Sequence, residues 1–333
     1  MKYIDTEKFS EFLRRKSILE DQQRILIARI YGSEQEKDLT TPVNCKGYGR
    51  IRHFRLQQFP DWSSNPLPIL PAAKALGYSP DLTLRAQVFQ NAACNWRCWY
   101  CFVDYDRLSA DTRVSDYFTS DELIQMYLDE VNRPDVIDLS GGQPDLVPEW
   151  ILWTMQSLKK RGLERRIYLW SDDNLSNTYF FIYLTREQRK EIAKFQNYSR
   201  VACFKGYNEK SFSFNTLASP ELFDQQFEIY KKLLEEGLDM YAYVTFTSLP
   251  YARLTYEIEQ FVDKLQTIHV NLPLRTVPLK IAAFTPTKHR TKQEQTLALN
   301  YQYEVHAEWI GQIRNRFSQN EINLPICDIP MAL

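Results

Sequence analysis

Cys94-Asn95-Trp96-Arg97-Cys98-Trp99-Tyr100-Cys101 spaces three cysteines as Cys-x3-Cys-x2-Cys, with an aromatic residue directly before the third. Three thiolates on one short loop, with no fourth close by, can hold three corners of a four-iron cluster. The fourth iron is then open to another ligand, whereas an electron-carrying [4Fe–4S] site is closed by a fourth cysteine. A structural zinc site asks for four cysteines, or three with a histidine, usually as paired ligands. The histidines are His53, His269, His289 and His306, none paired with another ligand at that spacing. Six cysteines in 333 residues, with no recognisable secretory signal, make a disulfide framework a poor reading. The loop reads as a metal loop.

Outward from it, apolar runs alternate with helical periodicity. Leu84–Gln90 reads as a strand and delivers the chain straight into the cysteine loop. Ser120–Val131 has helical spacing with Ser120 as candidate N-cap, and Val136–Leu139 is a short buried strand. Pro148–Lys160 then reads as helix, 166–170 as strand, 186–195 as helix and 200–204 as strand. Helix over 220–236, strand over 240–247, helix over 256–268 and strand over 277–284 follow, with a last helix over 297–317. Strand–helix alternation with short connections predicts parallel strands and right-handed crossovers. The periodicity alone fits a doubly wound sheet as well as a barrel. In either, chemistry belongs on the loops after the strands.

Taken with its place after the first strand, the cysteine motif resembles that of the radical S-adenosylmethionine (SAM) superfamily. The resemblance covers roughly residues 84–290. It implies an α/β fold, a partial (β/α)6 TIM-type barrel over 84–317, preceded by a helical and Pro/aromatic-rich extension over 1–83 and followed by a tail over 318–333. It also implies a [4Fe–4S] cluster on Cys94, Cys98 and Cys101, with SAM on the open iron and the backbone at Tyr100 beside the adenine. An external reductant such as flavodoxin or ferredoxin would feed the cluster. Reductive cleavage of SAM would then give a 5′-deoxyadenosyl radical that takes hydrogen from a substrate.

Several strand-end residues acquire candidate roles from the same resemblance. Ser140-Gly141-Gly142-Gln143-Pro144 follows the second strand, where the superfamily has Gly-Gly-Glu-Pro holding the amino group of SAM. Glycine permits close approach of backbone to a ligand, and the Gln143 amide oxygen is an acceptor where the superfamily has a carboxylate. Ser171 and Asp172 stand where Thr-Asn is common and are candidates for SAM or substrate; with Asp173 they read equally as a capping turn. Lys205 in Phe204-Lys205-Gly206 can pair with the SAM carboxylate. Thr245 and Thr247 alternate to one face and can line the lumen near the adenosyl group, or fill it.

Composition narrows the partners. A net charge of −1 supplies no global field toward nucleic acid or acidic lipid, and 44% hydrophobic residues can bury a large core. No apolar stretch of spanning length occurs, so a cytoplasmic protein without membrane association is expected, in a compartment that suits an oxygen-sensitive cluster. The residues 5–30 read as one amphipathic helix. The segment 43–80, with Pro60, Pro66, Pro68, Pro71 and Pro80 among aromatics, reads as an ordered wrap that covers a sheet edge or carries substrate specificity. Lys46, Arg50, Arg52 and Arg55 within it read as a solvated, ion-paired face rather than a nucleotide site. Lys288-His289-Arg290 is expected to overhang the barrel mouth as an anion clamp, or else to be a solvated loop. Cys45, Cys203 and Cys327 are isolated thiols, too few for a second cluster.

The expected substrate is a small anionic metabolite or nucleotide. A radical placed on a partner protein is the alternative within the same chemistry, and an iron–sulfur electron carrier or sensor the alternative outside it.

Overall fold

A computed structural model describes residues 3–331; the first two residues of the expected extension and the last two of the expected tail lie outside them. The chain starts with α1 (Thr6–Ser17), whose first turn is capped by the Asp5 carboxylate accepting from the Lys8 N–H. The helix expected over 5–30 stops there. Residues 24–28, Arg-Ile-Leu-Ile-Ala, carry a run of branched side chains without helical spacing, and they form β2 (Arg24–Ala28) after the short β1 (Ile18–Leu19). Both belong to a small antiparallel sheet completed by β5 (Ser115–Thr119).

The main sheet has seven strands. In chain order they are β3 (Gly49–Arg55), β4 (Thr83–Phe89), β6 (Val136–Leu139), β7 (Tyr168–Asp173), β8 (Tyr198–Phe204), β9 (Met240–Thr245) and β10 (Thr276–Leu279). Their spatial order is β10-β9-β8-β7-β6-β4-β3, with β4 to β10 parallel and β3 antiparallel to β4. The expected partial (β/α)6 barrel is thus present, with one antiparallel strand added to the β4 edge. Between β3 and β4 lies α2 (Ile69–Leu76). The outer helices are α3 (Ser120–Leu128), α4 (Glu149–Lys160), α5 (Tyr179–Tyr183) with α6 (Arg186–Ala193), α7 (Glu209–Thr216) with α8 (Leu222–Glu235), α9 (Leu254–Ile268) and α10 (Gln293–Arg316). The N-cap of α3 is Thr119, one residue before the expected Ser120, because its hydroxyl completes a capping box with Glu122.

Every residue of β6, β8 and β9 is buried, as parallel strands covered on both faces require. Parity assigns the faces. Val136, Tyr168, Trp170, Val201, Cys203, Tyr241, Tyr243 and Val277 pack together with Phe54 and Ala86 inside the sheet's curve. Ile69 and Ala72 of α2, with Ile326 and Ile329, join that cluster. Residues of the other parity, such as Leu169, Ala202 and Phe204, meet the helices. Among the described residues no helix is long and apolar enough to cross a membrane.

Candidate active site

The cysteine loop leaves β4 and is fastened from several sides. The Cys94 N–H donates to Leu108 O (3.0 Å) and the Cys101 N–H to Cys98 O (3.0 Å). The Tyr105 hydroxyl donates to the carbonyls of Arg97 and Cys98, each at 3.0 Å. The indole N–H of Trp96 reaches Thr6 in α1 (3.2 Å), and that of Trp99 reaches Asn215 in α7 (3.1 Å). Buried Asn95 bonds Ser10 and Ser176, and the Asn174 side-chain amide lies 3.7 Å from the Cys94 sulfur. The tryptophans thus hold the loop between the first helix and the barrel.

Among the described residues, no three His, Cys, Asp or Glu side chains converge closely enough to hold a single metal ion. A cubane does not need that convergence, since each thiolate binds its own iron. Cys101 lines a cavity of about 540 Å3. The donor set, three thiols of which none is in a disulfide, fits a three-cysteine cluster.

The turn after β6 is packed against this loop. Gln143 N–H donates to Ala93 O (2.7 Å), and the Asn91 side chain donates to Gln143 O (2.9 Å). Gly141 and Gly142 have φ of +78° and +70°. A Cβ on Gly142 would stand 2.4 Å from Asn91 O and 2.5 Å from Ala93 O, and one on Gly141 2.6 Å from the Gln90 side chain. Both glycines line the cavity. The Gln143 amide departs from expectation as an acceptor for a ligand. Its oxygen accepts from the Asn174 N–H (2.9 Å), its nitrogen donates to Asp173 (2.7 Å), and the residue is buried. It ties two strand-end loops together.

Parity separates Ser171 from Asp172. Ser171 points to the helix side, fully buried, 2.8 Å from the Tyr198 hydroxyl, and does not reach the cavity. Asp172 points inward, accepts from Ser140 (2.7 Å) and stands 4.0 Å from Arg52. Lys205 also lines the cavity, beside Cys203 on the same face of β8. Tyr100 and Thr245 meet through their hydroxyls at 3.2 Å, whereas Thr247 is buried against Asn215 (2.8 Å).

Two corrections concern the basic segments. Arg290 is not a clamp: it donates to Cys101 O (2.7 Å) and Val103 O (2.9 Å) and stacks on Tyr105, while Lys288 and His289 are exposed away from the cavity. Conversely Arg50 and Arg52, read as a solvated face, turn into the lumen with Phe54 because β3 pairs with β4 and presents every second residue inward. Arg52 donates to Asp138 at 3.2 Å. Burial, then the negative charge of Asp172, pushes the Asp138 carboxyl up to about 7 against the pull of Arg52 and Arg50. Burial and the charge of Arg52 press the Arg50 guanidinium down to about 10, still a cation at neutral pH.

No family model matches the chain, and no curated protein shows a significant match. Among solved structures it is similar to Streptococcus suis SuiB bound to S-adenosylmethionine, at 14% identity and TM-score 0.46 over 68% of this chain and 47% of that one. It is also similar to SuiB alone (16%, TM-score 0.42, 67% and 45%) and to SuiB bound to precursor peptide SuiA (15%, TM-score 0.37, 54% and 36%). The chain spans less than half the length of each. The chain's own features are a Cys-x3-Cys-x2-Cys loop after the first strand of a six-strand parallel half-barrel and a Gly-Gly turn packed onto that loop.

Proposed function

We propose that the chain is a radical SAM enzyme that takes hydrogen from a peptide offered at the gap between β3 and β10. The observation that carries the cofactor half of this reading is the direct packing of the Gly141–Gly142 turn onto the carbonyls that open the cysteine loop. One cavity wall therefore combines Cys101 of the cysteine loop with the Gly141–Gly142 turn. When bound, the reduced [4Fe–4S] cluster and SAM supply an electron and a carbon-centred 5′-deoxyadenosyl radical. The chain's own part is to hold that cluster on Cys94, Cys98 and Cys101, to pack the turn at Gly141 and Gly142 closely against their loop, and to keep water out with Phe102. Lys205 offers a positive charge on the opposite wall.

The gap supports the peptide half. Pockets of about 300–1,000 Å3 hold one ligand of drug size, so a cavity of about 540 Å3 is largely filled by SAM. A substrate must then present one group from outside. The two free ends of the sheet, residues 50–55 and 279–281, border the same cavity, and that long mouth suits an extended chain better than a compact metabolite. The test is anaerobic: reconstituted protein, SAM and dithionite are mixed with the peptide or the low-molecular-mass fraction of an extract. A rise in 5′-deoxyadenosine with the peptide fraction alone is expected. A rise with only the small-molecule fraction returns the reading to an anionic metabolite, and no SAM cleavage at all sinks the enzyme reading.

A further inference from the structure

Arg50 is 7% exposed, and among the described residues no acidic side chain or carbonyl accepts a hydrogen bond from its guanidinium. Its Nε is buried without a hydrogen-bond partner among the described residues, the Phe102 ring lies 5.2 Å from the guanidinium carbon, and the charges of Arg52, Asp138 and Asp172 act on it without a hydrogen bond. A buried cation in that condition is costly unless something completes it. Its neighbour Arg52 is already satisfied by Asp138 and Asp172. The side chain borders the 540 Å3 cavity at the lip formed by β3, Phe102 and Phe284, whose rings meet edge to face at 5.0 Å.

We infer that Arg50 is the binding residue for a carboxylate of the substrate, an inference that rests on the functional reading above. One unpartnered guanidinium balances one negative charge, and its fork matches the two oxygens of a carboxylate. The nearby carboxylates of Asp138 and Asp172 repel a phosphate dianion more strongly than a monoanion. The other source of such a group is SAM itself. Lys205 is the cation on the far wall from β3, and Arg50 stands outside the six strand–helix units, which favours the substrate. The recognised group is then an aspartate or glutamate side chain, or the C-terminus, of the peptide.

The test uses reconstituted wild type, Arg50→Gln and Arg50→Lys, with N-acetylglycine and its uncharged amide as probes in ligand-observed NMR. Wild type should prefer the carboxylate by about tenfold or more, from a charge-assisted hydrogen bond. Arg50→Gln should abolish the preference, Arg50→Lys should restore part of it, and the SAM-induced change in the cluster's EPR signal should persist in both. An undiminished preference in Arg50→Gln overturns the inference. So does loss of the SAM-induced change in a variant whose melting temperature is unaltered, since Arg50 would then hold the carboxylate of SAM. A wild type with carboxylate preference but no response to SAM keeps the anion site and overturns the enzyme reading instead.

Discussion

The backbone N–H of Gln143 donates to the carbonyl of Ala93 at 2.7 Å, so the turn after β6 and the start of the cysteine loop form one unit. Gly142 sits between them. Gly142→Ala places a methyl group against two carbonyls and adds the left-handed penalty of about 1–2 kcal/mol. It should lower the melting temperature and the iron content together. Gly141→Ala meets only the flexible Gln90 side chain beyond the same penalty, and adding Gln90→Ala should relieve that part of its cost. Relief of Gly142→Ala by Gln90→Ala would contradict this account.

Iron analysis of anaerobically reconstituted variants addresses the cluster. Wild type should hold about four irons per chain. Cys94→Ala, Cys98→Ala and Cys101→Ala should each hold almost none, whereas Cys45→Ala, which changes a thiol buried beside Glu130, should match wild type. Cys203→Ala should also match, although its thiol borders the same cavity. A requirement for Cys203 would make it a fourth ligand and overturn the proposed open iron.

Arg290 contributes to the cysteine loop and not to a ligand. Two charge-assisted hydrogen bonds to backbone carbonyls, discounted for partial exposure, are worth about 1–3 kcal/mol. Arg290→Met should speed the loss of iron to a chelator severalfold. The double variant Lys288→Ala/His289→Ala should leave both iron retention and turnover unchanged.

Asp138 is buried behind Arg52, outside the cavity lining, and its carboxyl is pushed up toward neutrality. It faces Arg52 and Arg50 of β3 and Asp172 of β7, and its carboxyl is raised to about 7 chiefly by burial. Below that pH it is neutral and no longer offsets the charge of Arg52 and Arg50 beside the cavity. N-acetylglycine should bind about three- to tenfold more tightly near pH 6 than near pH 8, and Asp138→Asn should flatten the difference. The same raised value costs wild type stability as pH climbs from about 4 to about 7, so Asp138→Asn should gain in relative melting temperature across that window. A falling relative melting temperature would mean that its contact with Arg52 outweighs its burial.

The cysteine loop, the six parallel strands and the Gly141–Gly142 turn were legible in the sequence because each is a local signal with a fixed neighbour. Parity was not. Ser171 and Asp172 are adjacent in the same turn-like run, and only the register of β7 against β8 sends one to Tyr198 and the other to the cavity. The pattern of β3 misled for a related reason. A strand lining the polar mouth of a half-barrel has charged residues inward, so Arg50, Arg52 and Arg55 read as a solvated face although all three border the cavity and only Arg55 is exposed. The alternation Arg50, Arg52, Phe54 was the signal available. Arg290 points the other way: a basic run at a loop says nothing of the backbone carbonyls that one of its members finds.

The antiparallel placement of β3 has a consequence for how this architecture can diversify. The thiols and the glycine turn belong to the repeating strand–helix units, whereas Arg50 belongs to a single strand appended to their edge. Exchanging that one strand would alter which charge the mouth accepts without touching the repeating units. A library randomised at residues 50 and 52 would sample new charges at the mouth on unaltered strand–helix units.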